Sequence, residues 1–212
     1  MARLGYDRYG VQGGDWGGII SRWTAFNDAD HVVGMHLNFV TGTAPPDPDN
    51  PNEGVSNAEL ARMRARQQFM STERGYSGIQ GTKPQTLAFG LTDSPIGLAA
   101  WITEKLRSWS DCDGNVENRF SKDQILTLVS IYWHTRTIGT SVRYYYANGL
   151  GSSRPRSRGG GPVQVPQGYA QFVGIPARSG PPRSFLADLP DNVNHWSVFD
   201  TGGHFPAIEE PQ

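Results

Sequence analysis

The segment Gly13-Gly14-Asp15-Trp16-Gly17-Gly18 constrains this chain more than any other. It separates a short, partly apolar run, Tyr9-Gly10-Val11-Gln12, from apolar residues at helical spacing, Ile19, Ile20, Trp23 and Phe26. A turn this tight between strand and helix admits only small neighbours, because its central residue is forced out of the sheet and the flanking backbone lies against the next helix. His31-Val32-Val33-Gly34-Met35-His36-Leu37-Asn38-Phe39 then reads as a second strand. Strand, helix and strand at this length make a βαβ unit, and therefore a parallel sheet.

The elbow presents a carboxylate. Asp15 taken alone reads first as a helix N-cap and second as a nucleophile, and its placement after a strand and before an apolar helix raises the second reading. An elbow aspartate attacks an electrophilic carbon, such as that of an epoxide or a haloalkane, to give an alkyl-enzyme ester. Hydrolysis of that ester needs a water activated by a base. His204 suits this role, lying in Gly202-Gly203-His204-Phe205 just after the strand candidate Trp196-Ser197-Val198-Phe199. An early nucleophile with the histidine last is the order found in α/β-hydrolases. His31, His36, His134 and His195 lack the spacing of a metal site and read as structural, so neither a metal nor another cofactor is expected. Asp111, Asp113 and Asn115 alternate as calcium ligands do, but Val116 stands where glycine is needed and Lys122 where glutamate is needed, which leaves a turn.

Between its sheet-forming ends the chain turns helical. Four prolines between Ala44 and Asn52 interrupt regular structure. Ser56 with Glu59 forms a capping box that opens a helix from Ala58 to about Thr72. Ser94-Pro95 starts another, through Ile96, Ala99, Ile102, Leu106 and Trp109, and Ser121 with Gln124 a third, through Ile125, Leu128, Val129, Tyr132 and Trp133. The segment from Gly149 to Gly161 is a linker, and its arginines, Arg154, Arg156 and Arg158, read as solvated loop rather than a phosphate site. Pro162-Val163-Gln164-Val165 resumes the sheet as a strand candidate. The expected organisation is a core of residues 1–44 and 151–212 around a helical insertion of residues 45–150.

Composition excludes other classes. The 19 Lys and Arg balance 20 Asp and Glu for a net charge of −1, which leaves no basic footprint for nucleic acid. No apolar run approaches the roughly 18–20 residues that span a bilayer, and no secretory signal pattern is present. Cys112 is the single cysteine, so no intrachain disulfide forms, and a cytoplasmic location is expected.

Four collinear blocks carry a family resemblance: Arg8-Tyr9-Gly10-Val11-Gln12-Gly13-Gly14-Asp15-Trp16-Gly17, Gly75-Tyr76-Ser77-Gly78-Ile79-Gln80-Gly81-Thr82-Lys83-Pro84, Asp93-Ser94-Pro95-Ile96-Gly97-Leu98-Ala99-Ala100-Trp101, and Gly202-Gly203-His204-Phe205 with Glu209-Glu210-Pro211. The chain resembles the C-terminal two-thirds of the microsomal-type epoxide hydrolases, including insect juvenile hormone and fungal members. The resemblance implies an α/β-hydrolase fold with the insertion as a helical lid, and hydration of a small apolar epoxide by water to a vicinal diol. It implies Asp15 as nucleophile, His204 as base, and the Trp16 amide as half of an oxyanion hole. It also implies Tyr76 and Tyr145 as lid tyrosines that bond the epoxide oxygen and protonate the leaving alkoxide.

The chain departs from the family pattern in three ways. The acid that orients the histidine is expected at Ile175, with Asp47, Asp49, Asp188, Asp191 and Asp200 as substitutes. The His-Gly-Trp-Pro segment that donates the second oxyanion amide and the strands preceding the elbow are not in these residues, nor is a final helix after Pro211. A fragment with little activity is therefore expected, with a non-catalytic fragment or degenerate homologue, or a haloalkane dehalogenase-like enzyme, as the alternatives. A homodimer is allowed for, and a membrane anchor upstream is left open.

Overall fold

Strands β1 (Tyr9–Gly13), β2 (Val32–Leu37), β3 (Gln167–Phe172) and β4 (Val193–Phe199) pair in that order, each parallel to its neighbour. This is a computed structural model, and it describes residues 1–39, 45, 47–149, 163–175, 180–186 and 193–211. The chain divides into two compact units, residues 1–67 with 157–212, and residues 68–156. Arg154, Arg156, Arg158, Pro162, Asp188 and Asp191 lie outside the described residues.

In the first unit, helix α1 (Asp15–Asn27) joins β1 to β2 and packs on both. Ala25 beneath it meets Val32, Met35 and Leu37 of β2, with Val163, Val165 and Tyr169, in one core. Val163 and Val165 are buried, as apolar residues should be, but they are irregular chain and not the strand expected there. The strand begins at Gln167 instead. Two buried glutamines hide it from an apolar pattern, and both are satisfied. Gln167 donates from Nε2 to the Val163 carbonyl at 3.2 Å and accepts from the Tyr169 hydroxyl at 2.7 Å, while Gln171 donates to the Pro181 carbonyl at 2.6 Å.

Helix α2 (Asn57–Glu73) starts at the expected box: the Ser56 amide donates to Glu59 Oε2 at 2.9 Å, and the Glu59 amide to Ser56 Oγ at 3.3 Å. The Glu59 carboxylate also accepts the backbone amide of Arg183. Residues 45–67, assigned by sequence to the insertion, group with the sheet unit, and the division falls inside α2.

The second unit continues through α3 (Gly75–Thr82), α4 (Pro84–Asp93), α5 (Pro95–Trp109), α6 (Lys122–Thr135) and α7 (Ile138–Ala147). Ser94 caps α5 by accepting the Gly97 amide at 3.0 Å. Ser121 and Gln124 cap α6 reciprocally at 2.8 and 3.2 Å. Ala88, Leu91, Leu98, Val129, Ile138 and Val142 form its core, one or two from each of α4 to α7. A fully buried leucine such as Leu98 contributes roughly 1.5–3 kcal/mol. Asp111, Asp113 and Asn115 lie in the connection between α5 and α6, where Asp111 pairs with Arg119 at 3.3 Å.

Candidate active site

Asp15 is the first residue of α1, at φ 46°, a left-handed conformation that costs a residue with a side chain about 1–2 kcal/mol. Its neighbours explain how the turn is held. A Cβ on Gly13 would overlap the Gly17 carbonyl and come within 2.7 Å of the Gly18 nitrogen, and one on Gly14 would overlap Asn38 Oδ1. By contrast, a Cβ on Gly17 would meet no described atom within 4 Å, whereas Gly18 faces the Phe39 carbonyl at 3.2 Å. The steric requirement thus falls on Gly13, Gly14 and Gly18, not on the glycine that closes the familiar pentapeptide.

His204 reaches the elbow from the far side of the sheet. Parallel pairing puts the carboxyl ends of β1 and β4 on the same edge, and the turn after Phe199, with Gly202 at φ 83°, carries the imidazole back. His204 Nε2 lies 2.7 Å from Asp15 Oδ2. An ionised carboxylate only accepts, so Nε2 donates in this arrangement. The His204 side chain is 7% exposed and that of Asp15 36%, which leaves the carboxylate the accessible member of the pair. Phe39 and Phe205 stand edge-on to the imidazole, at centroid distances of 5.8 and 4.9 Å. After His204 the chain enters a short helix, α8 (Pro206–Glu209), whose buried Glu209 accepts the Phe205 amide at 2.8 Å and ties the loop down.

Asn38, Arg66, Gln171 and His204 help line a cavity of about 20 Å³, room for a single water. Asn38 Oδ1 is buried with no hydrogen-bond partner among the described residues, an acceptor waiting for a donor. Burial also holds the Arg66 guanidinium below its ordinary pKa. Sequence reasoning passed over both residues: Asn38 closes a strand, and Arg66 is one of several arginines on a polar helix.

The second unit brings together the two tyrosines singled out from the sequence. Tyr76 of α3 and Tyr145 of α7 stand edge-on, with ring centroids 5.8 Å apart. Within the tyrosine run, Tyr144 and Tyr146 are 40% and 59% exposed, whereas Tyr145 is half-buried against Tyr76. Trp16 follows Asp15 in the first turn of α1. Ile175 is half-buried in a bend just past β3. Of its substitutes, Asp49 and Asp200 are exposed, and the Asp47 carboxylate accepts the Asp49 amide at 2.8 Å and the Asn50 side chain at 3.1 Å. Among the remaining histidines, His31 pairs with Asp28 at 2.6 Å and His195 bonds Ser197 at 2.9 Å, while burial and then the neighbouring His195 lower the pKa of His36. Among the described residues no group of three or more potential ligands gathers to hold a metal ion, and no helix is long and apolar enough to cross a membrane.

Epoxide hydrolase 1 of the pig, Sus scrofa, is 34% identical over 234 aligned residues that take in all of this chain and 50% of that protein. The crystal structure of juvenile hormone epoxide hydrolase from the silkworm Bombyx mori superposes with a TM-score of 0.81 at 35% identity, over all of this chain and 53% of that one. Over its whole length the chain is similar to epoxide hydrolases. An enantioselective mutant of the epoxide hydrolase from Aspergillus niger is a further structural relative, with a TM-score of 0.79 at 31% identity over all of this chain and 51% of that one. The fold is that of the α/β-hydrolase epoxide hydrolases. The chain spans about half the length of these family members rather than the two-thirds expected from its sequence. No family model matches it.

Proposed function

We propose that this chain carries the nucleophile, base and lid tyrosines of an enzyme that hydrates an epoxide to a vicinal diol through an aspartyl ester. The observation that carries the reading is the 2.7 Å contact between Asp15, at a strained elbow, and His204. In the first step an Asp15 oxygen forms a bond to an epoxide carbon, the carbon–oxygen bond of the ring breaks, and the alkoxide takes a proton from Tyr76 or Tyr145. Esterification neutralises the acceptor that His204 Nε2 faces, and once the ring proton has moved to Nδ1 the bare Nε2 takes a proton from water. The resulting hydroxide adds to the ester carbonyl, the Trp16 amide supports the oxyanion, and the diol leaves as the Asp15 carboxylate re-forms. The proton held on His204 returns to the tyrosinate. Phe39 and Phe205 beside His204 favour an epoxide with apolar substituents.

A single turnover in oxygen-labelled water tests the route. Label is expected in the Asp15 carboxylate, because water attacks the ester carbonyl; label found only in the diol overturns the covalent mechanism.

A further inference from the structure

The second unit holds a charged network that none of the proposed steps uses. Glu73, in the last turn of α2, accepts from Lys105 Nζ at 2.8 Å, Trp109 Nε1 at 3.0 Å and Ser108 Oγ at 3.4 Å, all three donors standing on one face of α5. Lys105 pairs in addition with Glu104 at 2.9 Å. Burial pushes the Glu73 carboxyl up, yet the bonds from Lys105, Trp109 and Ser108 outweigh it and hold the group below its ordinary value. For Lys105, too, burial is overcome, and its two carboxylate partners hold the ammonium above its ordinary value.

What this network surrounds is Tyr76. The Lys105 ammonium sits 5.2 Å from the centroid of the Tyr76 ring and 5.5 Å from that of Trp109, within cation–π range of both. Trp109 meets the Tyr76 ring edge-on at 4.9 Å, and Tyr145 meets it at 5.8 Å. Three elements thus converge on one phenol: α5 through Lys105 and Trp109, α7 through Tyr145, and α2 through the Glu73 carboxylate that fixes both α5 side chains. A lysine side chain loses considerable rotamer freedom when held over a ring, and the bonds from its ammonium to Glu73 and Glu104 offset that loss.

We infer that Glu73, Lys105 and Trp109 are positioning residues for Tyr76, clamping its ring beside Tyr145 so that the two phenols act as one proton-donating pair. The inference rests on the proposed function for its chemical meaning, but the clamp itself is a property of the second unit. Its effect belongs to ring opening, the step in which a tyrosine gives up its proton, and not to hydrolysis of the ester. A misplacement of about 1 Å in a reacting group costs roughly 100-fold in rate.

Two measurements on the purified protein test the clamp. In single turnovers with an epoxide, Lys105→Met should slow ester formation by about 10- to 100-fold and leave the rate of ester hydrolysis unchanged. Lys105→Arg, which keeps the charge and the bonds to Glu73, should recover most of the loss, and Glu73→Gln should fall between. Equal slowing of both steps, or no slowing, overturns the inference. Independently of turnover, NMR of isotope-labelled tyrosine, with the Tyr76 signals assigned from Tyr76→Phe, should show a restrained Tyr76 ring that becomes freer in Lys105→Met and Glu73→Gln but not in Lys105→Arg. Unchanged Tyr76 signals in both charge-removing variants overturn it as well. If the unmodified protein forms no ester, the functional reading falls, and the tyrosine spectra then decide the clamp alone. Should Lys105→Met not fold, Glu73→Gln and Lys105→Arg carry both measurements.

Discussion

His204 Nε2 and Asp15 Oδ2 are 2.7 Å apart, although the residues are 189 positions apart in the chain. In the proposed mechanism this contact pairs the group that forms the ester with the group that hydrolyses it, so the two should fail differently. Asp15→Asn removes the attacking carboxylate and is expected to abolish ester formation, with turnover down by on the order of 10⁴- to 10⁶-fold. His204→Gln should still form the ester and then accumulate it, visible by mass spectrometry as the substrate's mass added to the peptide containing Asp15. No adduct on His204→Gln, with the unmodified protein active, would remove His204 from the hydrolytic step.

Among the glycines around Asp15, position decides tolerance. Gly13→Ala drives a methyl into the Gly17 carbonyl, a backbone atom that cannot step aside. A loss of about 1–3 kcal/mol or more is expected, measured by denaturant unfolding. Gly17→Ala meets open space inside a helix and should be neutral or stabilising by up to about 1 kcal/mol. Equal losses at the two positions would contradict the steric account of the elbow.

Ile175 puts a side chain without a carboxylate where the family resemblance expects the acid that orients the base. Ile175→Glu is expected to speed hydrolysis of the Asp15 ester by at least about 10-fold, since losing that carboxylate costs such sites several orders of magnitude. The step to follow is the decay of the trapped ester in a single turnover. An unchanged decay would mean that the orienting group, if one acts, comes from elsewhere.

The Glu73–Lys105 pair sets a pH window on the second unit. Glu73 has a folded pKa below its unfolded value of about 4.3, so its stabilisation is complete above that value and is lost as the pH falls through the folded one. Lys105 is raised above its unfolded value of about 10.4, so its share is complete below that pH and is lost as the pH climbs through the folded value. Thermal melting of Glu73→Gln should therefore lag the unmodified protein most at neutral pH, and the gap should close on acidification. A gap independent of pH would show that the glutamate acts only through packing.

Local patterns in the sequence sufficed wherever one signal dominated. The boxes at Ser56 and Ser121 and the cap at Ser94 fix helix starts because a side-chain oxygen satisfies an otherwise orphaned amide, whatever the surroundings. The elbow was legible because only small residues fit it. Where burial and polarity conflict, the pattern failed: β3 was displaced onto Val163 and Val165 because its own Gln167 and Gln171 are buried polar residues, tolerable only with partners supplied by distant chain. Helix α3, with Gly75, Gly78 and Gly81, has poor intrinsic propensity, and no helix is expected there from the sequence, where the segment only carries the resemblance.

The sequence by itself determined the βαβ beginning, a glycine-rich elbow around Asp15, the helical stretch between the sheet-forming ends and the resemblance to epoxide hydrolases. Only the tertiary structure decided which residues meet. Parallel pairing brings the ends of β1 and β4 to one edge and so delivers His204 to Asp15. Helix packing brings Tyr145, already singled out by the resemblance, edge-on to Tyr76 and surrounds Tyr76 with Lys105 and Trp109. Caps and turns act over a few residues and are written locally, whereas these contacts join positions dozens to hundreds of residues apart and exist only once the elements that carry them have packed.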